Sequence, residues 1–276
     1  MKYKYFYKSN SGFKSDFLSG LNDITQAFIN KSTWVILGIS ELQQRYRRSA
    51  IGPFWVTLSM GVQTLVTGVL LAYLFNQDVN RFLPFISISL ILWTLFSSAL
   101  NEGAVCFTGM SGIILQVNRP LFSYLLLIIW RNILVFLHTI CIFLIAAFYF
   151  KIYPTSSYLL IPLGFSLFIV NISWMALLCG IISSRFRDMP PIIQNILNVL
   201  VWLTPIYYSI NQVGNTTKMI INLNPITYIF EVARGPFLNS PPEFHVWLIA
   251  VLVALFGWIL TLTIFAIFRN RIPYWL

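Results

Sequence analysis

Residues 41–55 read ELQQRYRRSAIGPFW, and the chain changes from polar to apolar within this stretch. Arg45, Arg47 and Arg48 place three guanidinium groups within four consecutive positions. From Ile51 to Phe75 the sequence then carries no charged residue. An apolar run of this length can cross the hydrocarbon core of a bilayer as a helix, which takes about 20 residues. The stretch therefore predicts the point at which the chain enters a membrane.

The composition of the whole chain is that of an integral membrane protein. Its 276 residues are 58% hydrophobic and 9% charged, with a mean hydropathy of +0.76, whereas soluble proteins average roughly 25% charged residues. The sequence predicts an all-α membrane protein, with 1–50 as a cytoplasmic tail and amphipathic interface helix and 51–276 as a six-span transmembrane domain. The predicted spans are 51–75, 82–107, 121–150, 157–182, 191–209 and 246–268.

The distribution of lysine and arginine predicts the orientation of these spans. With the N-terminus inside, thirteen basic residues fall on cytoplasmic segments and four on outer segments, while Arg131 lies within a span. Because positive charge favours the cytoplasmic side, both termini are predicted to be cytoplasmic and segment 209–243 to lie outside. Arg131 is expected to extend its side chain to the interface, and Glu102 to lie near the cytoplasmic end of the second span.

The segment before the first span has the pattern of an interface helix. Between residues 18 and 44, apolar residues recur at helical spacing among polar ones, and Trp34 adds an aromatic ring of the kind found at interfaces. One or two amphipathic helices along the membrane are therefore predicted. Tyr46 and Arg47 are assigned to interface anchoring, and Gly52 with Pro53 is expected to turn the chain into the bilayer.

Three motifs occur at the start, in the late middle and before the last span of the chain. They are Arg45-Tyr46-Arg47-Arg48-Ser49 before Gly52-Pro53-Phe54-Trp55, Phe186-Arg187-Asp188 leading into Ile192 and Ile193 and then Leu203-Thr204-Pro205-Ile206-Tyr207-Tyr208, and Asn222-Leu223-Asn224-Pro225-Ile226-Thr227-Tyr228. In this order they resemble the ABC-2 type permeases that export polysaccharides, most closely the O-antigen and capsule exporters. With six spans, the resemblance extends over nearly the whole chain. A lysine-rich extension of about fifteen residues at the N-terminus departs from it.

The resemblance implies a transport subunit without an ATP site of its own. The expected assembly is a homodimer with two copies of a separate ABC ATPase in a bacterial inner membrane, moving a glycan linked to a polyprenyl pyrophosphate. ATP and Mg²⁺ would bind to the ATPase, so no cofactor is expected on this chain. The chain accordingly lacks the phosphate-binding sequence G-x-x-x-x-G-K-[ST].

Two segments between spans carry further candidate sites. A short helix capped by Ser111 and ended by Pro120 fits residues 109–120, and the resemblance makes it the helix that couples to the ATPase, through Ser111, Ile114 and Arg119. Residues 219–237 are too apolar for a solvated loop and predict two short re-entrant half-helices. In the resembled exporters this region is the periplasmic gate, here Asn224, Pro225 and Tyr228.

Two sets of residues are candidates for substrate contact. In the fifth span, Asn195, Asn198 and Trp202 share a helix face and predict a polar conduit, although interhelical hydrogen bonding can also use such residues.

Arg45 and Arg48 share a face, while Arg47 points about 100° away. The planar guanidinium can pair with two phosphate oxygens, so Arg45 and Arg48 are assigned to the lipid pyrophosphate. The alternative is that all three arginines only anchor the span.

Other functions remain as alternatives. An ABC-2 exporter of teichoic acid, or of a drug or lipid, would share most of these features. A membrane-embedded enzyme would have only His138 or Glu102 as its catalytic centre, since the motifs H-E-x-x-H, G-x-S-x-G and D-x-D are absent from the sequence. Cys106, Cys141 and Cys179 occur singly and do not have the spacing of a metal site.

Overall fold

A computed structural model describes residues 13–47, 52 and 54–276, and this part of the chain is helical, without β-strands. The predicted all-α class is therefore confirmed for these residues. Short 3₁₀ turns occur at Ser156–Leu160, Ile210–Gln212 and Gly235–Leu238. The α-helices are α1 (Phe13–Ile29), α2 (Lys31–Tyr46), α3 (Phe54–Leu74), α4 (Val79–Ala104), α5 (Ser111–Gln116), α6 (Phe122–Tyr149), α7 (Ile161–Arg185), α8 (Met189–Leu203), α9 (Asn215–Leu223), α10 (Pro225–Arg234), α11 (Phe244–Phe268) and α12 (Ile272–Trp275).

Within the described residues, five helical segments are long and apolar enough to cross a membrane: α3, α4, α6, α7 with the turn before it, and α11. They correspond to five of the six predicted spans. The remaining one, α8, has 15 residues, a length of about 22 Å against a hydrocarbon core of about 30 Å. It ends before Pro205, because proline disfavours helical backbone at the preceding residue.

Helix α4 lies at the centre of the bundle, where it packs on α3, α6, α7 and α8. It is the most buried of the long helices, whereas α3 leaves most of its surface uncovered. One end of the bundle carries α5, α12 and the C-termini of α4, α7 and α11, and we call it the α5 end. The opposite end, which carries α9 and α10, is the α9 end.

The two N-terminal helices pack against the α5 end through small residues. The face of α1 that meets α6 and α11 includes Gly20 and Ala27. Large apolar side chains of α1, among them Leu18, Phe28 and Ile29, are exposed on the rest of its surface. This distribution is typical of a helix that packs on spans with one face and meets lipid with another.

A buried carboxylate on α1 fixes three segments. Asp23 is 3% exposed, and its oxygens accept hydrogen bonds from the backbone N–H groups of Leu121 (3.1 Å) and Phe122 (2.9 Å) at the start of α6. Arg269, just after α11, donates from Nε to the same carboxylate at 2.8 Å. The first N–H groups of a helix have no partner within the helix, so Asp23 supplies the cap of α6 from another part of the chain.

Helices α7 and α11 approach closely at a glycine. A Cβ atom at Gly257 would lie 2.1 Å from the indole ring of Trp174, so only glycine fits there. Asn171 of α7 donates to the carbonyl of Ala250 at 3.3 Å, and Trp258 of α11 donates to that of Val170 at 3.1 Å. These bonds join the two helices inside the apolar part of the bundle.

Arg131 of α6 is paired inside the protein, which corrects the prediction that it extends to the interface. It forms ion pairs with Glu41 of α2 and, at 2.9 Å, with Glu102 of α4. Asn132 also donates to Glu102, at 2.6 Å, and the Arg131 side chain is 12% exposed. We call Glu41, Glu102, Arg131 and Asn132 the Arg131 cluster. Glu41, Glu102 and Arg131 are distant from one another in sequence, so helical spacing did not indicate this cluster.

A second buried arginine lies near the α9 end. Arg234 is one of the four basic residues that the sequence places on outer segments. It is nevertheless only 4% exposed, at the end of α10. Its guanidinium pairs with Glu231 at 2.5 Å and donates to Ser89 of α4 at 3.1 Å and to the carbonyl of Pro205 at 2.6 Å. It also lies over the ring of Phe85, at 4.5 Å. Arg234 therefore attaches α10 to α4 and to the segment that follows α8.

The Arg131 cluster yields a prediction about stability. Replacing Arg131 by methionine leaves two carboxylates without their cation, and breaking a buried pair costs about 3–5 kcal/mol. We expect the low end of this range, because Glu41 is 32% exposed. Thermal unfolding of the purified protein in detergent should show a clear fall in melting temperature.

The matched control is Arg187→Met, since Arg187 is exposed, and it should leave the melting temperature unchanged. Adding Glu41→Gln and Glu102→Gln to Arg131→Met removes the unpaired charges and should restore most of the stability. Equal melting temperatures for Arg131→Met and Arg187→Met would show that the cluster does not stabilise the fold.

Candidate functional site

The segment between α4 and α6 contains the predicted short helix, with a different cap. Helix α5 begins at Ser111 itself, and Met110 occupies the cap position without a side-chain hydrogen bond. Ile114 is 1% exposed, whereas Ile113 is 46% and Val117 40% exposed. Ile114 therefore holds α5 to the body of the protein. The surface offered to a partner consists of Ile113, Gln116 and Val117, with Arg119 partly exposed beside it.

Helix α8 has three different faces. On a helix with 100° between residues, the buried face is a narrow stripe, made of Ile193, Leu197 and Val201. An exposed apolar face lies about 120° to one side of this stripe and comprises Ile192, Ile196, Val199 and Leu203. An exposed face with amide side chains lies about 120° to the other side and comprises Gln194, Asn195, Asn198 and Trp202.

The amide face of α8 is unusual for an apolar helix. Gln194 donates to Asn198 at 3.1 Å, and Trp202 is 62% exposed. Polar side chains within a membrane almost always face the bundle interior or a water-filled cavity. The face with Asn195, Asn198 and Trp202 is thus uncovered in one copy of the chain but unsuited to lipid.

Trp202 differs from the other tryptophans that the sequence places inside spans. Trp93 lies 5.8 Å from the ring of Phe230, and Trp34 lies 6.3 Å from Trp130. Trp174 packs on Gly257 as described. Trp202 contacts the ring of Tyr207 in a tilted arrangement, with the ring centres 5.0 Å apart, and it remains 62% exposed.

The candidate gate residues connect α8, α9 and α10. Asn224 accepts a hydrogen bond from the N–H of Ile226, at 3.0 Å, and so caps α10. Its amide also donates to Thr204 at 3.2 Å, just beyond the end of α8. Pro225 is the first residue of α10, where its missing N–H is not needed.

Tyr228 completes the junction between the two short helices. Its hydroxyl donates to the carbonyl of Asn222 at the end of α9, at 2.9 Å. Asn224 and Tyr228 thus fix the angle between α9 and α10, while Arg234 attaches the other end of α10 to α4. The sequence motif indicated Asn224 and Tyr228 but not Arg234, although Glu231 three residues earlier was an available signal for its ion pair.

The basic stretch is only partly described. Arg48 lies outside the described residues, and so do the side chains of Arg45 and Tyr46, whose backbone forms the last turn of α2. Arg47 ends α2 and is exposed. Gly52 has φ +61°, a conformation that favours glycine, and it lies at the predicted turn into the first span. The assignments of Arg45, Tyr46, Arg47 and Arg48 stay predictions.

The two residues considered for a catalytic centre are separately engaged. Glu102 belongs to the Arg131 cluster, and His138 hydrogen-bonds through Nδ1 to the carbonyl of Leu134 at 2.7 Å. Among the described residues, no three His, Cys, Asp or Glu side chains are grouped so as to hold a metal.

Comparison with known proteins agrees with this geometry. The model of the ABC-2 type transporter family matches residues 33–238, most of the chain. The O-antigen export system permease protein RfbA of Myxococcus xanthus is 23% identical over 199 residues, which are 71% of this chain and 76% of that protein. A protein of the same name from Klebsiella pneumoniae is 23% identical over 244 residues, 87% of this chain and 92% of that protein.

Another Klebsiella pneumoniae RfbA is 22% identical over 210 residues, 75% of this chain and 80% of that protein. The match to the family model covers α3 to α10, including α5, α8 and the α9–α10 junction, and ends before α11. The resemblance stated from the three motifs is confirmed. The chain is a multi-pass membrane protein that belongs to the ABC-2 type transporter family and is related to the O-antigen export permeases.

Proposed function

We propose that the chain is the transmembrane subunit of an ATP-driven exporter that moves a polyprenyl-pyrophosphate-linked polysaccharide, of O-antigen or capsule type, across the bacterial inner membrane. The names of the relatives support this substrate class. The observation that carries the proposal is the amide face of α8, which suits contact with a hydrated glycan better than contact with lipid. An exposed indole ring such as that of Trp202 can stack on the C–H faces of sugars of different types.

The proposed arrangement has six crossings with both termini in the cytoplasm. The α5 end is then cytoplasmic, and α8 with the segment up to the turn at 210–212 forms the sixth crossing. Helices α9 and α10 form a re-entrant pair in the outer leaflet, for which the exposed apolar side chains of Met219, Ile220 and Leu223 are suited. Non-helical backbone at membrane depth requires protein partners, and Asn224 supplies one at the junction.

The proposed assembly is a homodimer with two ABC ATPases. Helices α3 and α8 are the least covered long apolar surfaces of the chain, so pairing two copies through them would enclose the amide faces between the copies. ATP and Mg²⁺ would be bound by the ATPase subunits. The exposed apolar residues of α5 would dock on them, since exposed apolar patches commonly mark protein contacts.

Arg45 and Arg48 are proposed to bind the pyrophosphate of the carrier lipid, with Tyr46 and Arg47 at the interface. This stretch begins in the last turn of α2 and precedes the first crossing, at the depth of the cytoplasmic headgroups in the proposed orientation. A pyrophosphate is a multivalent anion, and anionic headgroups attract each nearby cation by about 1 kcal/mol. The gate at Asn224, Pro225 and Tyr228 would open on the opposite side.

The proposed function is tested with inverted membrane vesicles that contain the chain and its ABC ATPase. We expect ATP-dependent movement of the polyprenyl-linked polysaccharide into the vesicle lumen. Ile113→Glu and Arg119→Glu should abolish it and remove the ATPase from the purified complex, because they place charge on the docking surface of α5.

Lys151→Glu is the matched charge reversal at the α9 end and should leave the ATPase bound. ATP-dependent transport of a drug or a teichoic acid, but not of the polysaccharide, would replace the substrate assignment. Retention of the ATPase and of stimulated ATP hydrolysis by both α5 variants would contradict the coupling role.

A further prediction concerns Arg45 and Arg48. Lysine keeps the charge but loses the bidentate fork, so Arg45→Lys and Arg48→Lys should each raise the concentration of carrier needed to stimulate ATP hydrolysis. We expect a change of about tenfold, equivalent to one charge-assisted hydrogen bond of about 1.5 kcal/mol. Arg47→Lys is the control and should behave like the unmodified chain. Normal stimulation with lysine at both 45 and 48 would mean that these arginines only anchor the span.

Another prediction concerns the two exposed faces of α8. In a chain whose native cysteines are replaced, single cysteines at 195, 198 and 202 should react with a water-soluble thiol reagent about tenfold faster than those at 192, 196 and 199, because the reactive thiolate requires water. The two sets alternate along the same helix and lie on different faces of it, so each set is a control for the other.

The same reagent tests the six crossings. A cysteine at position 215 should react only from outside the cell. Reaction there only from the cytoplasmic side would refute the proposed topology, and equal rates on the two faces of α8 would refute the conduit.

A further inference from the structure

The α5 end carries a groove between α7 and α11 that the proposed transport path does not use. Its volume is about 480 Å³, within the range of about 300–1,000 Å³ that is typical of ligand sites. The walls are mostly apolar and include Ile181, Ile264 and Phe268. Arg185 and Arg271 lie at the same groove, together with Trp275.

Arg185 and Arg271 have no anionic partner within the part of the chain that the structure describes. Among the described residues, neither guanidinium forms an ion pair, and the nearby carboxylate Asp188 pairs with neither. This contrasts with Arg131, Arg234 and Arg269, each of which is paired with a carboxylate. Two exposed cations at one apolar groove are therefore available to an external anion.

Aromatic rings fix the positions of both cations. The guanidinium of Arg185 lies 5.5 Å from the ring centre of Trp275, and that of Arg271 lies 5.7 Å from that of Phe268. Cation–π contacts at exposed sites contribute about 0.5–1 kcal/mol. They hold the arginines at the mouth of the groove while leaving their N–H donors accessible.

Favourable interaction with helix ends does not account for both charges. Arg185 is in the last turn of α7, where a cation gains about 0.3–1 kcal/mol from the helix dipole. Arg271 lies three residues beyond the end of α11, outside the last turn in which this effect operates.

We propose that this groove binds one anionic phospholipid of the cytoplasmic leaflet, with its phosphate between Arg185 and Arg271 and an acyl chain along the apolar walls. The charge and the apolar lining match the two parts of such a lipid, and basic pockets at the cytoplasmic ends of spans are known to select anionic headgroups. The site is separate from Arg45 and Arg48, which lie at the first crossing. The inference rests on the orientation proposed above but not on the identity of the transported substrate.

The test is native mass spectrometry of the complex of the chain with its ATPase, after exposure to equal amounts of phosphatidylglycerol and phosphatidylcholine. We expect one phosphatidylglycerol per chain to be retained. Arg185→Gln and Arg271→Gln should each weaken this binding about tenfold, the loss of one charge-assisted contact. Ile264→Trp, which fills the groove and keeps both arginines, should weaken it as well.

Arg187→Gln is the matched control, because Arg187 is exposed and only two residues from Arg185, but does not line the groove. It should bind phosphatidylglycerol within a factor of two of the unmodified complex. An equal loss in all three arginine variants would show general surface attraction and overturn the proposal. The proposal would also be overturned if the Arg185 and Arg271 variants bound the lipid normally but lost the ATPase, because the groove would then be a contact with that protein. Size-exclusion profiles check that each variant is folded. The lipid measurement does not require polysaccharide transport, so failure of the proposed function would be detected separately.

Discussion

The ion pairs of Arg131 join the interface helix to the spans, and much of the arrangement at the α5 end depends on them. Glu41 comes from α2, Glu102 from α4 and Arg131 from α6. A charge within an apolar bundle is tolerated only when it is paired and hydrogen-bonded, so the three helices must keep their relative positions. Asp23 acts in the same way at the start of α6, where it also binds Arg269. The N-terminal helices are thus attached to the bundle by buried polar contacts as well as by apolar packing.

The sequence predicts most of the helices because their signals are local. The apolar runs predicted the bounds of five long helices to within a few residues. Asn224 with Pro225 correctly marked the junction between α9 and α10. The short helix α5 was also expected, but with Ser111 as its cap. In the structure Met110 holds the cap position and Ser111 is the first residue of the helix. The length of α8 was overestimated, because residues 204–209 are apolar enough to continue a span although Pro205 ends the helix.

The contacts that the sequence could not predict are those between distant segments. Arg131 was expected to extend to the interface, yet it pairs with Glu41, which is 90 residues away in the sequence. Arg234 was counted as a loop charge, although Glu231 three residues earlier could have suggested a pair. Ile114 was expected to contact the ATPase, but its burial makes Ile113 the outward residue. In each case tertiary packing decides which side of a helix is free, and periodicity alone does not.

The Arg131 cluster also lies between the two proposed functional regions at the α5 end. Glu102 is near the C-terminus of α4, shortly before α5, and Glu41 precedes Arg45 by one helical turn. A displacement of α5 by an ATPase would therefore reach α2 through ion pairs that resist separation, because parting them would leave charges unpaired in an apolar setting. Packed helices held in this way move as near-rigid bodies rather than deform. The basic stretch that begins in the last turn of α2 would then move with α5, so binding of the lipid phosphate and the state of the ATPase would be mechanically linked.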